Sequence, residues 1–385
     1  MELHRRLLFL LTPPIITLIG HLYVAQRLSS AWTHPVWKTS CWVGVLLMYV
    51  GITAGFLIRH DHSTPFNDRV SWIAFTLLGL FSWLFVLTLI RDVAMLGLGL
   101  ADVWSRFGPD TGLVFKRYSA FFILAVSLIA TLIGFFNARS TPHIVNVDIT
   151  IPDLPPELKG FTLTQITDLH VGPTIKKDFV RRVVDTANDL NSDVIVLTGD
   201  LIDGDVEGLR PHTQLLAELS APLGVYAVTG NHEYYSGAPR WIAEYERLGM
   251  RVLQNEHVVL PYQQGQLLLA GVNDYDAGRF DSAWASDPHA AIHGAPDDVG
   301  AKILLAHQPR SMQEAAAAGF DLQISGHTHG GQFWPWGYFV RLQQPFVAGL
   351  DHYEDLQIYT SQGTGYWGPP MRVGARSEIT RIRLK

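Results

Sequence analysis

Five short polar motifs lie between Asp168 and His329. They are Asp168-Leu169-His170, Gly199-Asp200-Leu201-Ile202-Asp203, Gly230-Asn231-His232-Glu233, the lone His307, and Gly326-His327-Thr328-His329-Gly330-Gly331-Gln332. Their imidazole, carboxylate and amide groups offer nitrogen and oxygen donors suited to manganese, iron, zinc or cobalt, in numbers sufficient for two adjacent ions. Two metals about 3.5–4 Å apart can hold a bridging hydroxide and clamp both oxygens of an in-line displacement at phosphorus. One carboxylate must then bridge the ions from the end of a central strand, and Asp200 is the candidate. Taken singly the motifs carry little weight, because Asp-x-His arises by chance and Gly-Asp or Gly-Asn suits a turn for backbone reasons alone.

The elements that must position these groups are legible around them. Val145, Val147 and Ile149 alternate with polar residues as a half-buried strand does. Phe161–Thr167, Val194–Thr198, Gly224–Thr229 and Ile303–Ala306 are compact apolar runs, each ending at one of the motifs. Lys176–Leu190 has helical spacing with Phe179, Val180, Val183, Val184 and Ala187 on one face, and helical patterns recur at Pro239–Leu248 and Arg310–Ala318. Strand–loop–helix alternation predicts an α/β sandwich, β-sheets flanked by helices, whose strand ends carry the polar groups. In open α/β sheets ligands bind at that edge.

Before Asn137 the chain has a different character. Leu7–Val24, Cys41–Ile58, Val70–Ile90 and Tyr118–Phe136 are long apolar stretches, and about 20 such residues cross a hydrocarbon core about 30 Å thick. The first contains Pro13-Pro14 and follows Arg5-Arg6; a signal peptide is its alternative. Trp32, Trp37, Trp42, Trp72 and Trp83 are expected near the membrane interfaces, and Asp92–Trp104 as an interfacial or re-entrant piece. The expected organisation is a multi-span α-helical transmembrane domain over residues 1–140 and an α/β domain over 141–385. With four spans, both termini share a side carrying Arg5, Arg6, Arg59, Arg69 and Arg139. The other side carries Arg27, Lys38, Arg91, Arg106, Lys116 and Arg117, which leaves the positive-inside rule without an asymmetry to act on. The three cleaner spans, Cys41–Ile58, Val70–Ile90 and Tyr118–Phe136, lack central ionisable groups, which favours an anchor over a transporter. A net charge of −6 gives no reason to expect nucleic acid. The single cysteine, Cys41, excludes an intramolecular disulfide and a thiolate metal cluster.

The motifs, in this order and over roughly Ile144–Lys385, closely resemble the calcineurin-like metallophosphoesterases. The layout is similar to their membrane-tethered branch, the YkuE-like proteins and transmembrane proteins with a metallophosphoesterase domain, as is the tail Gly363-Thr364-Gly365 through Arg372, Arg376 and Glu378-Ile379. The resemblance implies two divalent transition-metal ions (manganese, iron or zinc), one held by Asp168, His170 and His329, the other by Asn231, His307 and His327, with Asp200 bridging. It implies that His232 lies beside the scissile phosphate, and that Asn231 and Asp200 share in catalysis. Asp203 and Glu233 are expected to hydrogen-bond histidines. Arg372 and Arg376 are either phosphate grips or surface charges. Phe333, Trp334, Trp336, Tyr338 and Phe339 are an apolar wall, a surface resting on lipid, or core. The expected protein is a multi-pass phosphohydrolase of a bacterial inner membrane, cleaving a phosphodiester or pyrophosphate. Its substrate is expected to be phosphorylated and lipid-linked, as UDP-2,3-diacylglucosamine is, and its catalytic face leans to the cytoplasm on that analogy. Soluble nucleotides or phosphoproteins as substrates, and a non-catalytic metal-binding membrane sensor, are the alternatives. The oligomeric state stays open.

Overall fold

The computed structural model describes residues 2–58, 64–100 and 111–385. The chain divides into two compact units, Met1–Phe136 with Gly368–Met371, and Asn137–Trp367 with Arg372–Lys385.

The first unit is built on α1 (Glu2–Ser29), α2 (Pro35–Ile58), α3 (Pro65–Leu100) and α4 (Thr111–Arg139). Among the described residues α2, α3 and α4 are the helices long and apolar enough to cross a membrane. The stretch with Pro13-Pro14 lies in one continuous helix, α1, and its crossing of the membrane rests on the sequence alone. Val24 and Leu28 of α1, Met48 and Ile52 of α2, Phe81 and Leu84 of α3 and Ile123 of α4 share a core. Leu47, Ile73 and Ile133 are exposed instead, the apolar outer surface that a lipid-facing helix needs. Two expectations change here. Residues 92–100 are no separate interfacial piece but the continuation of α3, since Asp92 is neutralised in place: the Tyr23 hydroxyl donates to it at 2.6 Å and Arg27 Nε at 2.5 Å. Residues 101–104 lie outside the described residues. Trp83 is buried rather than interfacial, its indole N–H donating to Met371 Sδ at 3.0 Å.

The second unit contains two six-stranded sheets. The first runs β1 (His143–Ile149), β12 (Glu378–Leu384), β2 (Thr162–Ile166), β3 (Val194–Thr198), β4 (Val225–Val228), β5 (Arg251–Val252). The second runs β10 (Gly349–Tyr353), β11 (Leu356–Thr360), β9 (Leu322–Ser325), β8 (Ala301–Leu305), β7 (Gly265–Gly271), β6 (Glu256–Tyr262). Strands β2 to β5 are mutually parallel, as are β7, β8, β9 and β11.

Period-two alternation explains the layers. Val194 and Val196 of β3 meet Leu267 and Leu269 of β7 and Ile303 and Leu305 of β8 in a core between the sheets. The alternate residues Ile195 and Leu197 face outward onto Val180, Val183 and Val184 of α5 (Lys177–Asp189), Leu209 of α6 (Val206–Thr213) and Trp241 of α8 (Ala238–Arg247). On the far side Leu268 and Leu304 pack on Ala291 of α9 (Pro288–Ile292) and Ala315 of α10 (Met312–Ala317). Both faces of each central strand are therefore buried, which is why these strands read as unbroken apolar runs. The result is a helix–sheet–sheet–helix sandwich in which the parallel strands of both sheets end at a common rim. Short helices α7 (Asn231–Tyr235) and α11 (Trp336–Val340) complete it.

Candidate dimetal site

Each candidate ligand comes two or three residues beyond a parallel strand: Asp168 after β2, Asp200 after β3, Asn231 after β4, His307 after β8 and His327 after β9. The backbone turns sharply there. Asp168, His170, Asp200, His327 and His329 have φ of 54°, 51°, 53°, 70° and 52°, the left-handed region that side chains other than glycine rarely adopt. The motif glycines admit the close approach: a Cβ on Gly326 would lie 2.2 Å from Asp168 Oδ2, and one on Gly230 2.2 Å from Asp200 Oδ1.

The side chains converge. Asp168, His170 and His329 form one group, Asp200, His307 and His327 a second, and His170, Asp200 and His232 a third, each with ligand atoms within 4.8 Å of one another. Asp200 Oδ2 is the common point, 3.1 Å from His307 Nε2, 3.9 Å from His232 Nε2 and 4.0 Å from His170 Nε2. Its Oδ1 accepts the His232 backbone N–H at 2.8 Å. His329 Nε2 lies 3.4 Å from Asp168 Oδ1 and 3.0 Å from His170 Nε2, and His327 Nδ1 lies 3.2 Å from His307 Nε2.

Three observations fit this pocket to divalent ions. The ring nitrogens of His170 and His329 lie 3.0 Å apart and those of His307 and His327 3.2 Å apart, separations that two ligands of one ion keep at about 2.1 Å each from the metal. Asn231 Oδ1 is buried without a hydrogen-bond partner, an omission that an absent ligand explains. His307 Nδ1 pairs with the Thr198 carbonyl at 2.8 Å, an outer hydrogen bond of the kind that orients a ligating imidazole.

The charges settle in a definite pattern without metal. Against the upward push of burial, His307 and His232 hold the Asp200 carboxyl well below the usual carboxylate range. His307 is raised well above an ordinary histidine, because Asp200 outweighs the burial that opposes its charge. Burial raises Asp168. Burial, aided by the neighbouring His307, drops His327 to about 3, and burial lowers His329 with help from His170 and Arg372. Of the imidazoles in the cluster, His307 is thus the one whose charged form is favoured most by its neighbours.

Asp203 hydrogen-bonds one histidine, His232 at Nδ1, and lies 3.3 Å from a second, His170 Nδ1, outside hydrogen-bond geometry. Glu233 does not. It is fully buried and accepts the backbone N–H groups of Gly230 (2.7 Å), Asp200 (3.0 Å) and Leu201 (2.8 Å) and the Tyr245 hydroxyl (2.9 Å). Glu233 thereby ties the β3 and β4 loops together. Arg372 is neither a phosphate grip nor a surface charge. It is 1% exposed and donates to the carbonyls of Gly365 (3.1 Å), His329 (3.0 Å) and Gln362 (2.6 Å) and to His329 Nδ1 (3.2 Å). Arg376 is exposed. Of the aromatics after the His-x-His turn only Phe333 is core; Trp334, Trp336, Tyr338 and Phe339 are exposed.

Asp274 is invisible to motif reasoning. It is buried, pushed up to about 6 by that burial, and both its oxygens accept from Gln308 Nε2 at 3.1 and 3.0 Å, beside His307. Its signal is the one the motifs share, a polar residue just past an apolar strand, here β7.

Fold and ligand cluster together define a metal-dependent phosphoesterase. The sequence pattern of the calcineurin-like phosphoesterase family matches residues 161–331. The chain is 33% identical over 394 residues to the transmembrane protein with metallophosphoesterase domain of Danio rerio, covering 99% of this chain and 90% of that one. To the protein so named in Bos taurus it is 36% identical over 271 residues (68% and 61% covered). To an uncharacterized metallophosphoesterase of Campylobacter jejuni it is 35% identical over 305 residues (78% and 78%). The chain belongs to the calcineurin-like metallophosphoesterases, in company with relatives named as transmembrane proteins.

Proposed function

We propose that residues 1–140 anchor the chain in a membrane and that residues 141–385 hydrolyse a phosphodiester or pyrophosphate. The observation that carries this reading is Asp200 Oδ2, placed within 4.0 Å of imidazoles from three loops, where one carboxylate oxygen can serve two ions. Asp168, His170 and His329 would hold one divalent ion and Asn231, His307 and His327 the other, with Asp200 between them. Bound there, the ions supply Lewis acidity toward phosphoryl oxygens and activate water at neutral pH. His232 takes no ligand role; its Nδ1 is engaged by Asp203, which leaves Nε2 for the scissile phosphate, where it stabilises charge or protonates the leaving group. Asp203 fixes His232 in the orientation its task requires.

An amphiphilic, lipid-linked substrate suits a membrane-bound hydrolase, and UDP-2,3-diacylglucosamine is the first to test. On the same analogy we assign the chain to a bacterial inner membrane with its catalytic unit on the cytoplasmic face. The deciding experiment uses the full chain in detergent with bis-p-nitrophenyl phosphate, with manganese, with chelator, and as His232→Ala. Manganese-dependent turnover that falls by about 10²-fold or more in His232→Ala, with metal content unchanged, is the expected result. Equal turnover by wild type and variant would overturn the role of His232, and no turnover with any divalent metal would overturn the diesterase.

A further inference from the structure

A second feature lies in the helical unit. Leu87 and Ile90 of α3 and Phe115, Phe122 and Ile123 of α4 line a cavity of about 510 Å³ whose wall also includes Arg91 and Ser119. The spacing is helical on both sides, i, i+3, i+4 from Leu87 and i, i+4, i+7, i+8 from Phe115, so one stripe of each helix faces the space. The size falls in the range of small-molecule pockets, about 300–1,000 Å³.

Arg91 is out of place in such a wall. Its side chain is 5% exposed, and a buried guanidinium in apolar surroundings is costly unless paired. Among the described residues its acidic partner, Asp92, is already shared. Asp92 Oδ1 accepts from Arg91 Nε at 3.2 Å and Nη2 at 3.1 Å, while Oδ2 accepts from Tyr23 and Arg27. Two arginines on one carboxylate leave a surplus positive charge, and Arg91 Nη1 is buried with no hydrogen-bond partner.

We propose that this cavity binds one bilayer phospholipid with a net anionic headgroup. Its phosphate meets Arg91 Nη1, and the upper part of one acyl chain lies along Leu87, Ile90, Phe122 and Ile123. The surplus charge selects a headgroup without a cation of its own, so phosphatidylglycerol binds in preference to phosphatidylcholine.

Native mass spectrometry of the full chain, delipidated and offered the two lipids with identical acyl chains, tests this. The expected result is one retained phosphatidylglycerol, favoured about tenfold, because both lipids offer the phosphate but only phosphatidylcholine brings a cation against the surplus positive charge. The preference disappears in Arg91→Met, which removes the cation, and in Ile123→Trp, which keeps Arg91 and fills the cavity. Both variants are checked for wild-type helix content and monodisperse elution, so that loss in two chemically unlike changes is not loss of fold. Equal retention of both lipids, or a preference that survives Arg91→Met, overturns the proposal. A preference lost in Arg91→Met but kept in Ile123→Trp assigns the charge to the membrane surface and overturns it too. Displacement of the lipid by sodium phosphate alone makes the site one for a free anion, and the lipid proposal falls with it.

Discussion

Asp203 makes the sharpest prediction, because one carboxylate stands against two histidines to which the proposed mechanism gives different tasks. One oxygen meets His170 Nδ1 at 3.3 Å and the other meets His232 Nδ1. Losing the outer hydrogen bond of a ligating histidine typically lowers metal affinity or activity by about 10–100-fold. Asp203→Ala removes both contacts, so the share lost through His170 comes on top of what His232 loses as an acid, and kcat/KM at limiting manganese is expected to fall by about 10²-fold or more. Asp203→Asn keeps one acceptor oxygen and turns its amide N–H₂ toward the other ring, so it forfeits only one factor, about 10–100-fold. Manganese titrations of bis-p-nitrophenyl phosphate hydrolysis separate the parts. Excess metal restores the share lost through His170 and leaves kcat low through His232. Wild-type metal affinity and kcat in Asp203→Ala would refute the reasoning, and so would equal losses in the two variants.

Glu233→Ala strands three backbone N–H groups and the Tyr245 hydroxyl, at about 1–3 kcal/mol for each donor that water fails to reach. A loss of about 3–6 kcal/mol is expected by denaturant unfolding, whereas a change under about 1 kcal/mol would deny Glu233 its place as the tie between loops. Metal binding must expel the proton that Asp200 holds on His307, so manganese affinity is expected to weaken about tenfold per pH unit on acidification below the raised His307 value. Calorimetry in buffers of different ionisation enthalpy should show proton release, and a pH-independent affinity would contradict it. Hydrogen bonds from Arg247, then Arg210, hold Glu244 down to about 2. Its ordinary value is about 4.5, so its stabilisation is fully present above that pH and is lost as pH falls through about 2. The Tm difference between wild type and Glu244→Gln should therefore close on acidification over that window. Because Arg210 and Arg247 are half exposed, it should also shrink in high salt.

The strands and the cluster of polar residues at their ends were legible because burial on both faces forces a continuous apolar run, and the polar residue that ends such a run marks the rim. Val194–Thr198 followed by Gly199-Asp200 shows both signals at once. Sequence could not say what a buried carboxylate would meet. Asp203 and Glu233 look alike on paper, yet one faces imidazoles and the other the amides of a loop thirty-odd residues away. Arg372 follows the same logic, since only the folded chain brings the carbonyls of Gln362, Gly365 and His329 around it. Strand β12 was hidden for a related reason: the final residues insert between β1 and β2, parallel to one and antiparallel to the other. No local pattern encodes that long-range pairing. The charged pair Arg91-Asp92 looked like a helix end because its neutralising partners, Tyr23 and Arg27, lie on another helix.

The left-handed backbone at Asp168, His170, Asp200, His327 and His329 has an evolutionary corollary. Each such residue carries about 1–2 kcal/mol of conformational strain that glycine would relieve. Selection for stability alone therefore pushes these five positions toward glycine, and only the demand for ligands opposes it. A lineage that lost its metals should drift there first, gaining stability as it loses chemistry. Glycine at the aspartate and histidine positions, with Gly326 and Gly230 still in place, would be the mark of a relative that kept the fold after giving up the reaction.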